Sequence, residues 1–385
     1  MREAVILEAV RTPVGKRGRA LAGVHPVDLL GGLLAGMLGR AGVDPARVDD
    51  VIIGCVSQIG EQAANIGRNA WLAAGLPESV PATTIDRQCG SSLQAVHFAA
   101  QGVMAGAYDL VIAGGVESMT RVPLGAPLVV GPGVPLTESL SKRYDLPDGW
   151  FDQARGAEMI ARQWNITREA LDQFSFQSHQ RAAVAQAEGR FAPEIMPVQL
   201  PDDDVFCADE GIRSDTSLEK LAVLQPAFPG LDLITAGNAS QISDGASAML
   251  IATPEMAQQL GLRPRARFVS CAVVAVDPVT MLTGPIPATR KALDRAGLGV
   301  DDIDLFEVNE AFASVVLAWQ QEIGAPWERV NVNGGAVALG HPLGATGTRI
   351  MATLVHELER RAGRYGLVAI CEGGGMANAT IIERV

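Results

Sequence analysis

Apolar positions along the chain fall into two registers, and each predicts its own kind of element. Over residues 91–106, Leu93, Val96, Ala100, Val103 and Met104 recur at the three-and-four spacing of one helical face, and Ile350, Leu354 and Leu358 repeat it over 348–361. Helices are likewise predicted over 152–164 and 167–188, the second stopping near Gly189. Residues 110–113 and 367–370 are short unbroken apolar runs rich in β-branched side chains, the pattern of strands covered on both faces. Residues 305–308 read as a further strand.

The pattern repeats. RAGVDPARVDDVIIGCV at 40–56 resembles RAGLGVDDIDLFEV at 295–308, and YDLVIAGGVESM at 108–119 resembles YGLVAICEGGGM at 365–376, with an offset near 255 residues in both matches. The favoured reading is two copies of one α/β unit. An insertion of roughly 120 residues separates them, a length that in a compact domain signals a functional element or a small domain of its own. It opens on VPLGAPLVVGPGVP (122–135), expected to be extended and irregular, and carries an acidic loop, PDDDVFCADEG (201–211). We expect a lid-like subdomain there.

Composition narrows the function classes. Glycine makes up 42 of 385 residues without a collagen-like period, so it serves turns and close backbone approaches. With 48% hydrophobic and 19% charged residues the chain is not a disordered one. Five cysteines, odd in number, far apart and without a CxxC pair, argue against a disulfide scaffold and against a structural metal site. Basic and acidic residues number 31 and 43, and the net charge of −12 argues against a nucleic-acid partner; an anionic small ligand needs only a local basic patch. The apolar start carries Glu3 and Glu8 and stops at Arg11-Thr12-Pro13, and the stretch 29–38 is too short and glycine-rich to span a bilayer. A soluble, cytoplasmic protein without a membrane partner is the expectation.

Three glycine-rich segments hold the candidate chemistry. Cys89, in TTIDRQCGSSLQAV, sits between an extended segment and a helix starting near Ser91, where the helix N-terminus would draw a thiol down from about 8.5 toward neutrality. A buried structural cysteine explains the same context, and the two readings stay open here. Cys371 runs from a strand into Glu372 and the glycines Gly373, Gly374 and Gly375, whose amides could meet a developing oxyanion. His341 lies in NVNGGAVALGHPLGATG (331–347), between Gly340 and Pro342, and suits a general base for a nearby thiol. His25, His97, His179 and His356 are read as structural or exposed. Asn309 and Glu310 follow the strand at 305–308, where α/β ligand sites occur, although Asn309 would serve equally as a helix cap.

Taken together, these motifs resemble the thiolase family of acetyl-CoA acyltransferases. The resemblance spans nearly the whole chain: VRTPVGK (10–16), DRQCGSS (86–92), AGGVESM (113–119), DEGIRSDTSLEKLAVLQPAF (209–228), TAGNASQISDGASA (235–248), NEAFA (309–313), NGGAVALGHPLGATG (333–347) and CEGGG (371–375). It implies the α/β thiolase fold: duplicated βαβαβαββ halves in five αβαβα layers with an inserted loop domain. The implied partition is 1–119 plus 245–265 for the N-terminal half, 120–244 for the loop domain, and 266–385 for the C-terminal half. It implies Cys89 as acyl-accepting nucleophile, His341 as its base, Cys371 as the second catalytic cysteine and Asn309 as the holder of a catalytic water. The amides of Cys89 and Gly373 would form one oxyanion hole; His341 and that water would form the other. Coenzyme A is then a co-substrate and no cofactor or metal is permanently bound. Arg213 would pack on its adenine with Lys220 nearby, Ser240 would touch the pantetheine arm, and Ala311 and Phe312 would line the tunnel. A homodimer or homotetramer follows, with 122–140 as the tetramerisation segment.

Several positions depart from the common family pattern: Ser92 after Ser91, Glu372 beside the second cysteine, Ala377 in the last motif, and Gln153 in the helix entry FDQARGAEMIA (151–161). These departures resemble actinobacterial thiolases that degrade steroid or other unusual acyl chains. The expected reaction is thiolytic cleavage of a 3-oxoacyl-CoA, reversibly a Claisen condensation. A non-catalytic acyl-CoA- or lipid-binding partner subunit is the alternative, and a cysteine hydrolase built on Cys89, His341 and Asn309 is a third reading that leaves Cys371 idle.

Overall fold

A computed structural model describes residues 2–146 and 149–385. The first copy of the repeat runs β1 (Val5–Arg11), α1 (Pro26–Ala41), β2 (Asp50–Gly54), α2 (Ile66–Ala73), β3 (Ala82–Ile85), α3 (Ser91–Ala105) and β4 (Leu110–Ser118). The chain then leaves the sheet, forms α4 (Gln153–Gln163) and α5 (Arg168–Ala187), and returns as β5 (Ser243–Ala252). The second copy follows as β6 (Ala266–Ala275), α6 (Pro285–Ala296), β7 (Leu305–Val308), α7 (Ala313–Ile323), α8 (Thr346–Arg361), β8 (Tyr365–Glu372) and β9 (Met376–Arg384).

The strands lie in the order β7-β8-β9-β6-β1-β5-β4-β2-β3. With β3 set aside the order reads alike from either end: one parallel pairing, β2-β4 or β7-β8, is followed by two antiparallel ones, β4-β5-β1 or β8-β9-β6. β1 and β6 meet at the middle through only the pairs Val5↔Arg267 and Ile6↔Ala266. The offset is 255 throughout the matched elements, since β2 and β7 start at 50 and 305, α3 and α8 at 91 and 346, and β4 and β8 at 110 and 365. Aligning Tyr108 with Tyr365 is therefore two residues out, a slip that keeps every side chain on its own face because the strand period is two.

The second copy lacks a full counterpart of β3. Only the isolated bridge Phe306↔Val330 remains. Asn331, at a left-handed φ of 44°, takes over the ladder: its Oδ1 accepts from the Val308 amide at 2.8 Å and its Nδ2 donates to the Val308 carbonyl at 2.9 Å.

Five layers result. The helices α1 and α2 cover the outer face of the first half with Leu30, Leu34, Met37 and Trp71, while α6 and α7 cover the second with Ile286, Leu293, Val316 and Trp319. Between them α3 and α8 press together through Leu93, Val96, Ile350 and Leu354, which explains their narrow apolar periodicity. The Ser92 hydroxyl accepts from the Thr348 amide at 3.1 Å and ties these two helix starts to each other. The stretch read as irregular at 122–135 holds one short helical turn, Ala126–Val129, because Pro127 sits where its missing N–H is harmless. Among the described residues, no helix is long and apolar enough to cross a membrane.

Candidate active site

Four element ends converge at one level of the molecule. Cys89 precedes α3, the His341 loop precedes α8, Asn309 follows β7 and Cys371 lies at the end of β8. All four side chains are buried, at 4%, 3%, 2% and 0% exposure. Cys89 comes from the first copy of the repeat and the other three from the second.

Hydrogen bonding fixes the tautomer of His341. The Thr346 hydroxyl donates to the Pro342 carbonyl at 2.9 Å, so its oxygen accepts from Nδ1 of His341 at 2.6 Å. Nε2 is left with its lone pair, and Nδ2 of Asn309 donates to it at 3.3 Å. Burial, helped by the Arg349 guanidinium, pushes the imidazole down to about 3, so the ring is neutral. Oδ1 of Asn309 has no protein partner, leaving an acceptor beside the imidazole.

The thiol of Cys89 faces two amides, its own and that of Gly373. Two N–H donors thus meet beside one sulfur. Yet the thiol is pushed up to about 12, by burial first and by the Glu372 carboxylate second, with the two amides acting in the opposite direction. The expectation that the helix N-terminus would bring Cys89 toward neutrality is thus corrected: desolvation in a closed pocket outweighs the helix end. Cys371 is raised as well, by burial first and then by the repulsion it would meet from an ionised Cys89. The resting pocket therefore holds neutral thiols and a neutral imidazole, and a thiolate forms only as the proton is taken away.

Residues that support this set were less visible in the sequence. Gly340 adopts a φ of +105°, and a Cβ there would lie 2.2 Å from the Ser243 hydroxyl oxygen, so only glycine lets the His341 amide reach Gln241 O at 3.1 Å and Ser243 Oγ at 3.2 Å. Glu310, read only as one of a polar pair, accepts from Ser178 Oγ at 2.7 Å, Asn331 Nδ2 at 3.0 Å and the Val337 amide at 3.1 Å, and so anchors the loop leading to His341. Glu117 accepts from the amides of Val56, Ser57 and Gly344 and from Gln62 Nε2, all within 2.8–3.0 Å. Its place in AGGVESM was the only sequence signal for it.

The second group of predicted residues lies near the same loops. The Ser240 amide donates to Ala311 O at 2.9 Å and Ala239 bridges Phe312, so Ser240, Ala311 and Phe312 are brought together. Gln241 Nε2 reaches the carbonyls of Gly211, Val337 and Ala338, which ties the 209–213 segment to the His341 loop. Arg213 is exposed, its amide donating to Nδ1 of His179, and Lys220 is exposed and paired with Asp215 at 2.8 Å. His25 caps α1; His97, His179 and His356 are buried. Among the described residues, no group of three or more histidine, cysteine, aspartate or glutamate side chains could hold a metal ion.

Two family models match this chain: the thiolase N-terminal domain over residues 4–255 and the thiolase C-terminal domain over 262–384. The steroid 3-ketoacyl-CoA thiolase FadA6 of Mycobacterium tuberculosis is 54% identical over 391 residues, covering 100% of this chain and 95% of that protein. A 3-ketoacyl-CoA thiolase of Bacillus subtilis is 44% identical with 100% of both chains covered. Among solved structures, the acetyl-CoA acetyltransferase of Bacillus anthracis superposes with a TM-score of 0.91 at 40% identity, covering 100% of this chain and 99% of that one.

Proposed function

Because this chain belongs to the thiolase family and has its fold, we propose that the four converging side chains carry out thiolysis of a 3-oxoacyl-CoA. The activity itself, an acetyl-CoA acyltransferase reaction, follows from full-length relatives at 44–54% identity. The observation that carries the residue assignment is Cys89 Sγ facing the amides of Cys89 and Gly373. His341 Nε2, held unprotonated by the Thr346 contact, takes the thiol proton as Sγ attacks the 3-keto carbon. The Cα–Cβ bond then breaks, its electron pair passing to the departing acetyl-CoA enolate, which Cys371 protonates. Cys371, now a thiolate, takes the proton of an incoming CoA thiol; that sulfur attacks the Cys89 thioester, the Sγ–acyl bond breaks to release the shortened acyl-CoA, and the Cys89 thiolate recovers its proton from His341. A water held by Asn309 and the His341 Nε2–H formed in the first step serve the enolate oxygen, and the two amides serve the tetrahedral one. Each such donor is worth about 3–4 kcal/mol of barrier.

Coenzyme A is the co-substrate in this reading. Arg213 and Lys220 provide the local basic foothold that a chain of net charge −12 otherwise lacks, while Ser240, Ala311 and Phe312 line the pantetheine path. Residues 120–244 form the CoA-binding and oligomerisation part, between an N-terminal half at 1–119 plus 245–265 and a C-terminal half at 266–385. Leu124, Val129, Val130 and Val134 are exposed apolar residues on that part, which supports a homotetramer held through 122–140. A cytoplasmic location and a degradative direction complete the proposal. The steroid thiolase relative supports a bulky acyl group.

The test is peptide mass spectrometry after exposure to a 3-oxoacyl-CoA, with thiolysis measured on short, long, branched and polycyclic acyl groups. An acyl adduct on Cys89, absent in Cys89→Ser, is the expected result. Full thiolysis by Cys89→Ser would overturn the assignment, and turnover of acetoacetyl-CoA alone would overturn the bulky acyl group.

A further inference from the structure

The internal repeat makes a comparison possible that a single-copy fold would not. The 255-residue offset that relates β4 to β8 and α3 to α8 places Glu117 opposite Glu372, and Gly344 opposite Cys89. Both glutamates are at 0% exposure. Glu117 is built in: four donors converge on it, one of them the Gly344 amide at 2.9 Å. At the equivalent place Glu372 has neither carboxyl oxygen paired with any protein donor. The Cys89 amide, counterpart of the Gly344 amide, points instead to its own sulfur. An equally buried carboxyl has thus been stripped of its donors only in the copy where the thiol stands.

Glu372 lies directly against the nucleophile's loop. A Cβ at Gly90 would fall 2.0 Å from its Oε1 and 2.8 Å from Nδ2 of Asn378, so position 90 must be glycine for the carboxyl to sit there. The charged and titratable groups around it are Asp86, Arg87 and Cys89 from the loop before α3, and Cys371 from its own strand. β9 contributes Asn378, whose Nδ2 donates to Gly90 O at 3.0 Å and whose Oδ1 is unpartnered. Further along α3, His97 is held down at about 3 by burial and by Arg87, and so stays neutral through the range that matters.

Accepting Cys89 as the nucleophile, as in the reading above, we propose that Glu372 is a positioning residue that governs Cys89 ionisation: as the neutral acid it permits the thiolate, and once ionised it opposes it. An unpaired carboxylate beside a forming thiolate is two like charges in a dry site, and only one of them is easily accommodated. Burial brings Glu372 up to about 8, Arg87 restraining the rise and Asp86 adding to it, so the change falls at the alkaline edge of physiological pH.

The experiment follows the rate of iodoacetamide alkylation of the peptide carrying Cys89, in the full-length protein, across about pH 6 to 10. In the wild type the logarithm of the rate should rise, flatten through about pH 8, and rise again. Glu372→Gln should rise steadily and exceed the wild type by about tenfold at the alkaline end, one unit of thiol ionisation. Superimposable curves overturn the proposal. So does a break that persists in Glu372→Gln and disappears in Asp86→Asn. If Glu372→Gln does not fold, Glu372→Met and the wild-type curve decide, because a wild-type curve without a break is equally fatal. Absence of any Cys89 adduct in folded protein would remove the nucleophile assignment as well, whereas coincident curves on an alkylated Cys89 remove the Glu372 inference alone.

Discussion

Thr346 decides which nitrogen of His341 carries the proton, and that makes it a residue whose loss should show in rate before stability. In Thr346→Val the acceptor at 2.6 Å from Nδ1 is gone and a buried N–H is left unpaired. A lost buried hydrogen bond of this kind corresponds to about 10- to 100-fold in kcat. Steady-state thiolysis should show that fall with a circular dichroism spectrum unchanged, and Thr346→Ser should recover most of it. The glycine settings of Cys89, His341 and Cys371 made those residues readable in sequence, since glycine clustered around a reactive side chain breaks every core pattern. Thr346 was hidden because a threonine at the start of a helix looks like ordinary chain. The direction of the Cys89 ionisation was misread for a related reason: a helix N-terminus is legible in sequence, whereas complete desolvation and a carboxylate from a strand 283 residues away are not (372 − 89).

At the scale of elements, Glu117 is the clamp between the end of β4 and the loop that carries His341. Glu117→Ala would leave four donors unpaired, three of them buried and the Val56 amide half-buried, a loss of about 3–5 kcal/mol on the usual scale. Urea unfolding should show the midpoint drop, with Glu117→Gln recovering part of it because one acceptor oxygen remains. An unchanged midpoint in Glu117→Ala would contradict the clamp. Matched strands and helices were legible because burial on both faces leaves long apolar runs, and because a repeat shows the same run twice. The missing third strand of the second copy was not. Asn331 imitates a strand with its side-chain amide, and an amide that pairs with one residue leaves no periodicity to read. The order of strands was equally closed to sequence, since β1 and β6 touch through two residue pairs only.

At the scale of the molecule, buried histidines set the acid limit. His97 and His341 are held at about 3, His179 and His356 at about 4, in each case by burial first. Unfolding returns them to about 6.5, so the unfolded chain binds more protons and stability is intact above that value and lost as pH falls toward 4 and 3. Each histidine contributes a slope of about 1.4 kcal/mol per pH unit within that window. Denaturant midpoints taken at falling pH should decline steadily, and a flat profile down to pH 4.5 would refute the account. Glu372 acts with the opposite sign: its folded value of about 8 lies above the unfolded one, so its contribution is lost as pH rises through 8. The repeat itself has a last consequence, for stoichiometry. Position 344 is where a second thiol would stand if the two ends of the molecule were alike, yet a Cβ there would lie 2.6–2.8 Å from Val116 O, Gly54 O and the Cα of Cys55. Backbone fills that space, and no side chain can be added without moving a strand. If Cys89 is the acyl acceptor, as proposed above, the second end offers no room for another thiol at position 344, and the repeat supplies one acyl site per chain rather than two.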